Sequence, residues 1–235
     1  SADRAGAHCA KDLQSVARAL FKLASGLSGK TISFSLEDFL NQVDEMQLSD
    51  AEPGQGAPKE DWFSTHPFSP LRVKALSLFD ESILARDNGK DKETLEVEVQ
   101  SLMSLMEPSY LEGRTKTSEA MRRALFAAAM AVAAADGTIS DSEKKVFEQF
   151  FGSGTLTDSL SVDKLREELP GRLALVKELA SIPQRMQLLR DLCLIASAED
   201  QTGPLERAVL DEVADALDVP RGFICKNLDR DMELD

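Results

Sequence analysis

Basic charge, cysteine, histidine and large aromatics are all scarce in this 235-residue sequence. Lys and Arg number 27 against 41 Asp and Glu, a net charge of −14. The deficit is even. Residues 1–115 hold 12 basic and 19 acidic side chains and residues 116–235 hold 15 and 22, so neither half is a basic arm. Phosphate binding needs a concentrated basic face, which excludes nucleic acid as a partner and a polybasic membrane-surface role with it. The three cysteines, Cys9, Cys193 and Cys225, form no CxxC pair and are odd in number. A disulfide framework and a structural zinc site are thereby excluded, and a reducing compartment is expected. Cys9 and Cys193 fall in apolar helical patterns and are expected to be small buried hydrophobes. No apolar run reaches the roughly 20 residues of a membrane span. The longest, Ala124 to Ala135, is mostly alanine and is stopped by Asp136-Gly137, as in a tightly packed core helix. No signal peptide opens the chain, and a start at Ser1 without Met is expected of a processed piece of a longer protein. The expected location is the cytoplasm or the cytoplasmic face of a membrane. Phosphate loops, Ser/His/Asp triad signatures and dinucleotide fingerprints are also missing.

A 43% hydrophobic share with 29% charge is ordinary for a soluble folded chain, and the length suits one or two domains. Helical periodicity dominates it. Leu13, Val16, Ala17, Leu20 and Phe21 mark a helix stopped by Ser25-Gly26. Ser35 caps a second, running to about Met46, with Glu37 and Asp38 in its first turn. Residues 50–59 have loop composition, and Trp62-Phe63 is expected to anchor that loop to a core. Pro70 opens a helix over 71–85, residues 86–92 are a polar break, and residues 93–106 read as a connecting helix ended near Pro108. Beyond Thr117 the pattern is helix, corner, helix: Ser118 caps a helix to Ala135, and Ser140 with Glu143 forms a capping box for a helix through Phe151. Residues 162–169 and 172–180 read as two helices broken at Pro170-Gly171, and Pro183 starts a helix to Ala198. A helix over 205–217 and a last short one follow. No strand alternation persists, so the fold class is all-α.

Two segments repeat at an offset of 63 residues. Each has an alanine-rich helix, an acidic corner residue (Asp136, Glu199) and a Glu seven positions later (Glu143, Glu206). Two helical hairpins about a pseudo-twofold would produce this. The acids have two readings. Either they cap and solvate helix corners, where carboxylates favour the dipole; or Asp136, Glu143, Glu199 and Glu206 hold a divalent cation, calcium or magnesium, which wants several oxygens. The EF-hand loop does not fit, since Gly137 is misplaced and the twelfth position is Phe147.

Residues 117–235 resemble the TerB-like helical domain of tellurite-resistance proteins, which some membrane-anchored DnaJ co-chaperones also resemble in their N-terminal region. Ala134 to Ser140 with Glu143, and Leu194-Ile195-Ala196 with Glu199 and Glu206, carry the likeness. It implies two inverted hairpins and an acidic metal-binding or protein-interaction role. The Glu199-Asp200 corner departs from the Asp-Gly usual there.

Residues 1–85 are similar to the HtpX-like zinc metallopeptidases, just past their third zinc ligand. Ser1-Ala2-Asp3-Arg4-Ala5-Gly6, Leu20 to Gly26 and Ser64-Thr65-His66-Pro67 through Leu76 carry this resemblance, in the family's order. It implies that Asp3 orients a zinc-bound histidine, that His66 donates to the developing oxyanion, and that Arg72 braces the cleft or contacts substrate backbone. A catalytic zinc needs three protein ligands and a water-activating Glu, usually as HExxH. This chain has two histidines, His8 and His66, 58 positions apart, and no HExxH. The zinc ligands of the intact enzyme are therefore expected outside this sequence. The expected organisation is a peptidase portion at 1–85, a linker and connecting helix at 86–116, and a TerB-like domain at 117–235. The expected partner is a protein or peptide substrate. The alternative is a non-enzymatic acidic adaptor binding a cation or a partner protein.

Overall fold

A computed structural model describes residues 2–25, 35–38, 40–41, 69–137, 139–156, 161–198 and 202–228. Their regular secondary structure is helical, with a single isolated bridge between Ser82 and Lys90 and no strand among them. They fall into two compact units, divided between Met106 and Glu107.

The first unit contains α1 (Ala2–Ala10), α2 (Leu13–Ser25), α3 (Ser69–Asp80) and α4 (Lys92–Ser104). Lys11, at φ 51°, separates α1 from α2, and the Asp12 carboxylate accepts from the Gln14 N–H at 3.1 Å to start α2. The core joins Ala17 and Leu20 of α2 to Val73 and Leu76 of α3, with Leu36 and Leu40 packed against them. Residues 36–38 and 40–41 are helical, and Ser35 Oγ accepts from the Asp38 N–H at 3.1 Å, as the capping pattern predicts. Helix α3 stops at Asp80, short of the expected Ala85, because residues 81–90 close into a tight loop. The Ile83 N–H donates to Lys90 O and the Lys90 N–H to Glu81 O, both at 2.8 Å. The backbones come so close that a Cβ on Gly89 would lie 2.3 Å from the Ser82 carbonyl carbon, which is why glycine is needed there. Asp91 then caps α4, which buries Leu102 with Leu105 against Leu71 of α3. Burial corrects one expectation: Cys9 is exposed, because α1 buries no residue.

The second unit is built around α5 (Lys116–Ala133), with α6 (Asp141–Phe151), α7 (Val162–Leu179), α8 (Ile182–Ala196), α9 (Pro204–Ala216) and α10 (Gly222–Leu228). Every residue from Ala127 to Ala133 is buried. Helices α6, α7, α8 and α9 all pack on α5, and only alanine-sized side chains let so many backbones approach one helix. Phe126 of α5 meets Phe147 and Phe151 of α6 edge-on, with ring centroids 5.2 and 5.1 Å apart. Helix α5 is capped by Thr115, whose Oγ1 accepts from the Ser118 N–H at 3.1 Å, so Ser118 lies inside the helix rather than at its cap. Pro170 and Gly171 do not break the chain either. Helix α7 runs through them because both sit on its exposed face while Leu169, Leu173 and Val176 are buried. Proline's fixed φ is helical, and its cost is a lost hydrogen bond and the crowding of its ring against the carbonyl four residues back.

The repeat is in register through the structure. Helices α5 and α8 end at Ala133 and Ala196, and α6 and α9 begin at Asp141 and Pro204; each pair is 63 apart. Both second helices open with a Glu at their third position accepting the N–H of the residue before the helix.

Candidate functional site

In the first unit the structure brings together two of the three site residues the sequence selects there. Arg72, one turn into α3, faces Asp3 at the start of α1. Its Nε donates to Asp3 Oδ2 at 3.0 Å and its Nη2 to Oδ1 at 2.8 Å. The guanidinium fork and the carboxylate are thus joined side by side, the arrangement that gives an ion pair fixed geometry as well as charge compensation. The side chains are 18% and 28% exposed, so the pair is partly withdrawn from water. Next to it Arg4 donates to Glu96 Oε1 at 3.3 Å and lies over the Phe79 ring, 5.8 Å from its centroid. Asp3 and Arg72 form one rim of a mainly apolar groove of about 280 Å³, whose other wall is Val99, Leu102, Met103 and Met106. Arg4 and this α4 wall were not legible as site material, since single apolar residues on a helix carry no motif. A second, more polar cleft of about 350 Å³ is bordered by His8, Lys11, Asp12 and Asp80. His66, Trp62 and Phe63 lie outside the described residues.

A zinc site can be tested against the residues present. Among the described residues no group of three or more His, Cys, Asp or Glu side chains is placed to hold a metal ion. The described part of this chain does not fit a catalytic zinc.

Two of the four acidic corner residues, Glu143 and Glu206, lie in the first turns of α6 and α9. The carboxylate of Glu143, a residue only 6% exposed, accepts from the Ser140 N–H at 2.8 Å, while Ser140 Oγ accepts from the Glu143 N–H at 3.2 Å. Glu206 accepts from the Gly203 N–H at 2.5 Å. Asp136 sits on the exposed turn beyond α5, where Gly137 takes φ 93°. Glu199 and Asp200 lie outside the described residues.

The second unit also holds a buried polar cluster that no motif announced. The hydroxyl of Tyr110 donates to Asp191 Oδ2 at 2.6 Å. Burial, then the neighbouring Asp191 charge, push the Tyr110 phenol well above its usual range. Arg122 Nη1 donates to the carbonyls of Tyr110 at 2.7 Å and Gly113 at 2.5 Å. Its repeat mate 63 positions on, Arg185, donates to Leu217 O at 2.7 Å. This matched pair of arginines was the one available signal for the cluster. Cys193 is buried as expected, which pushes its thiol up to about 12.

No described helix is long and apolar enough to cross a membrane. Compared with known proteins, residues 1–79 match the model of peptidase family M48, and residues 122–224 match that of the tellurite resistance protein TerB. No curated protein and no solved structure matches the chain. The two matches fall on the segments that resemble them in sequence, and the helical second unit agrees with the helical nature of TerB. The chain is an M48-like segment fused to a TerB-like domain.

Proposed function

We propose that the first unit is the substrate-side portion of a zinc-dependent endopeptidase and that the TerB-like domain recruits or regulates it, at the cytoplasm or the cytoplasmic face of a membrane. The observation carrying this reading is the Asp3–Arg72 ion pair, which joins residues 69 positions apart inside the segment that matches peptidase family M48. In it Arg72 has its guanidinium held in a fixed orientation at the rim of an apolar groove, as a group meeting a peptide backbone must be. His66 stands in the same reading as the oxyanion donor. Peptide hydrolysis would need zinc ligands and a water-activating Glu from outside these residues, because the sequence has no HExxH.

The test has two arms. The purified 235-residue chain, supplied with zinc, is expected to leave an unfolded protein uncut. Joined behind a segment carrying HExxH and the third ligand, it is expected to give chelator-sensitive cleavage that Arg72→Ala lowers by an order of magnitude or more. Cleavage by the chain alone, or a joined enzyme indifferent to Arg72→Ala, would sink this reading. A joined chain that folds, binds zinc and cuts nothing would favour the non-enzymatic adaptor.

A further inference from the structure

The repeat supplies an internal comparison. On α5, Ala124, Ala127 and Ala128 are buried; 63 positions on, α8 has Gln187, Arg190 and Asp191, also buried. Alanine in one hairpin is therefore replaced by a polar stripe in the other. The stretch 107–113 engages this stripe. Tyr110 donates to Asp191, Gln187 Nε2 lies 3.3 Å from Glu107 O and 3.4 Å from Pro108 O, and Arg122 holds the carbonyls of Tyr110 and Gly113 from α5. The stretch itself is neither helix nor strand. Its fit is incomplete: Ser109 Oγ and Gln187 Oε1 are buried with no hydrogen-bond partner among the described residues.

We propose that residues 107–113 form a latch that lifts from α8 while the rest of the TerB-like domain stays folded. Three features support separate opening. The grip is made largely of polar groups, which water can replace when the segment leaves. The surface uncovered on α8 carries Gln187, Arg190 and Asp191, so these positions incur no apolar exposure. The two orphaned polar atoms gain water on opening, which lowers its cost further. Opposing them is the ring of Tyr110, 3% exposed, which keeps the latch closed most of the time. Because residues 107–113 directly follow the last residue of the first unit, opening turns a fixed piece of the second unit into free chain between the two.

Tyr110 is the single tyrosine and Cys193 is buried in the α8 core, so each reports one event without further labelling. In the full chain, acetylation of Tyr110 by N-acetylimidazole and alkylation of Cys193 by iodoacetamide are followed by mass spectrometry as urea is raised. Below the unfolding transition, Tyr110 is expected to react at a rate nearly independent of urea while Cys193 stays protected. Arg122→Gln should speed the tyrosine reaction about tenfold, the change that loss of a charge-assisted hydrogen bond brings, with helix content and Cys193 protection unaltered. Tyr110 reacting only in step with Cys193 would overturn the latch, and that wild-type comparison stands even if Arg122→Gln does not fold. An unchanged rate in a folded Arg122→Gln would overturn it as well.

Discussion

Replacing Glu143 and Glu206, singly and together, separates the two meanings a carboxylate at a helix corner can have. Each carboxylate accepts a backbone N–H just before its helix, at 2.8 Å for Glu143 and 2.5 Å for Glu206. Each also sits in a first turn, where negative charge meets the positive end of the helix. Alanine removes both effects. A hydrogen bond to a charged acceptor contributes about 1.5–3 kcal/mol and the dipole about 0.3–1. Allowing for water taking over part of the lost bond, each alanine should cost about 1–2 kcal/mol. That is roughly 3–8 °C in the melting temperature of a unit this size. Glutamine keeps an acceptor oxygen and should cost about half as much. Measuring the double variant beside the single ones shows whether the two losses add, as they do when caps on separate helices act independently. Melting followed by circular dichroism, with chelator and then with millimolar calcium or magnesium, is the assay. Helix caps ignore the cation. Carboxylates gathered around an ion behave oppositely: they repel one another without it, and a hundredfold excess over the dissociation constant adds about 2.7 kcal/mol. A double glutamine variant more stable than the wild type in chelator, or a cation-induced rise in the wild type that the variant lacks, would refute the assignment as caps.

Gly89→Ala would place a methyl 2.3 Å from the Ser82 carbonyl carbon, in a loop whose two backbone hydrogen bonds prevent retreat. A loss of about 3 kcal/mol is expected by urea denaturation, at the upper end of overpacking costs; a neutral variant would show the loop to be looser than described. Pro170→Ala restores an N–H in mid-helix on an exposed face and should stabilise the second unit by about 1–2 kcal/mol, after allowance for the freer unfolded chain. A lower melting temperature would count against a continuous α7. Burial pushes the Cys193 thiol up to about 12, from an ordinary value near 9. The unfolded thiol then loses its proton first, so stability should fall as pH climbs from 9 toward 12. Cys193→Ala should flatten that fall, and an unchanged slope would contradict it.

Local chemistry made much of this fold readable. The alanine run of α5, the Ser140–Glu143 capping box and the 63-residue offset all follow from patterns confined to a few neighbouring residues, and each appears where those patterns place it. Expectations failed where tertiary burial outweighed local preference. Pro170 with Gly171 carries the local signature of a stop, yet the burial of Leu169, Leu173 and Val176 carries α7 past it. Cys9 lies in an apolar helical pattern, which predicts a core position, but α1 buries no residue. Asp3 and Arg72 were legible only through a family likeness, since nothing in either neighbourhood predicts a contact across 69 positions. The stripe of Gln187, Arg190 and Asp191 was invisible for the same reason: polar residues on a helix read as a solvated face until the segment that covers them is known.

The two equivalent arginines have a consequence for how such a domain can be used. Arg122 ties down the chain entering the first hairpin, and Arg185 holds the carbonyl that ends α9. Each hairpin thus carries an arginine that clips a backbone carbonyl of a neighbouring segment, so the domain fastens the chain entering it and the turn after α9 with side chains it already owns. A module that fastens its own entrance in this way asks little of whatever sequence is spliced before it. It can sit behind a peptidase segment, or behind something quite different, without redesign of its core.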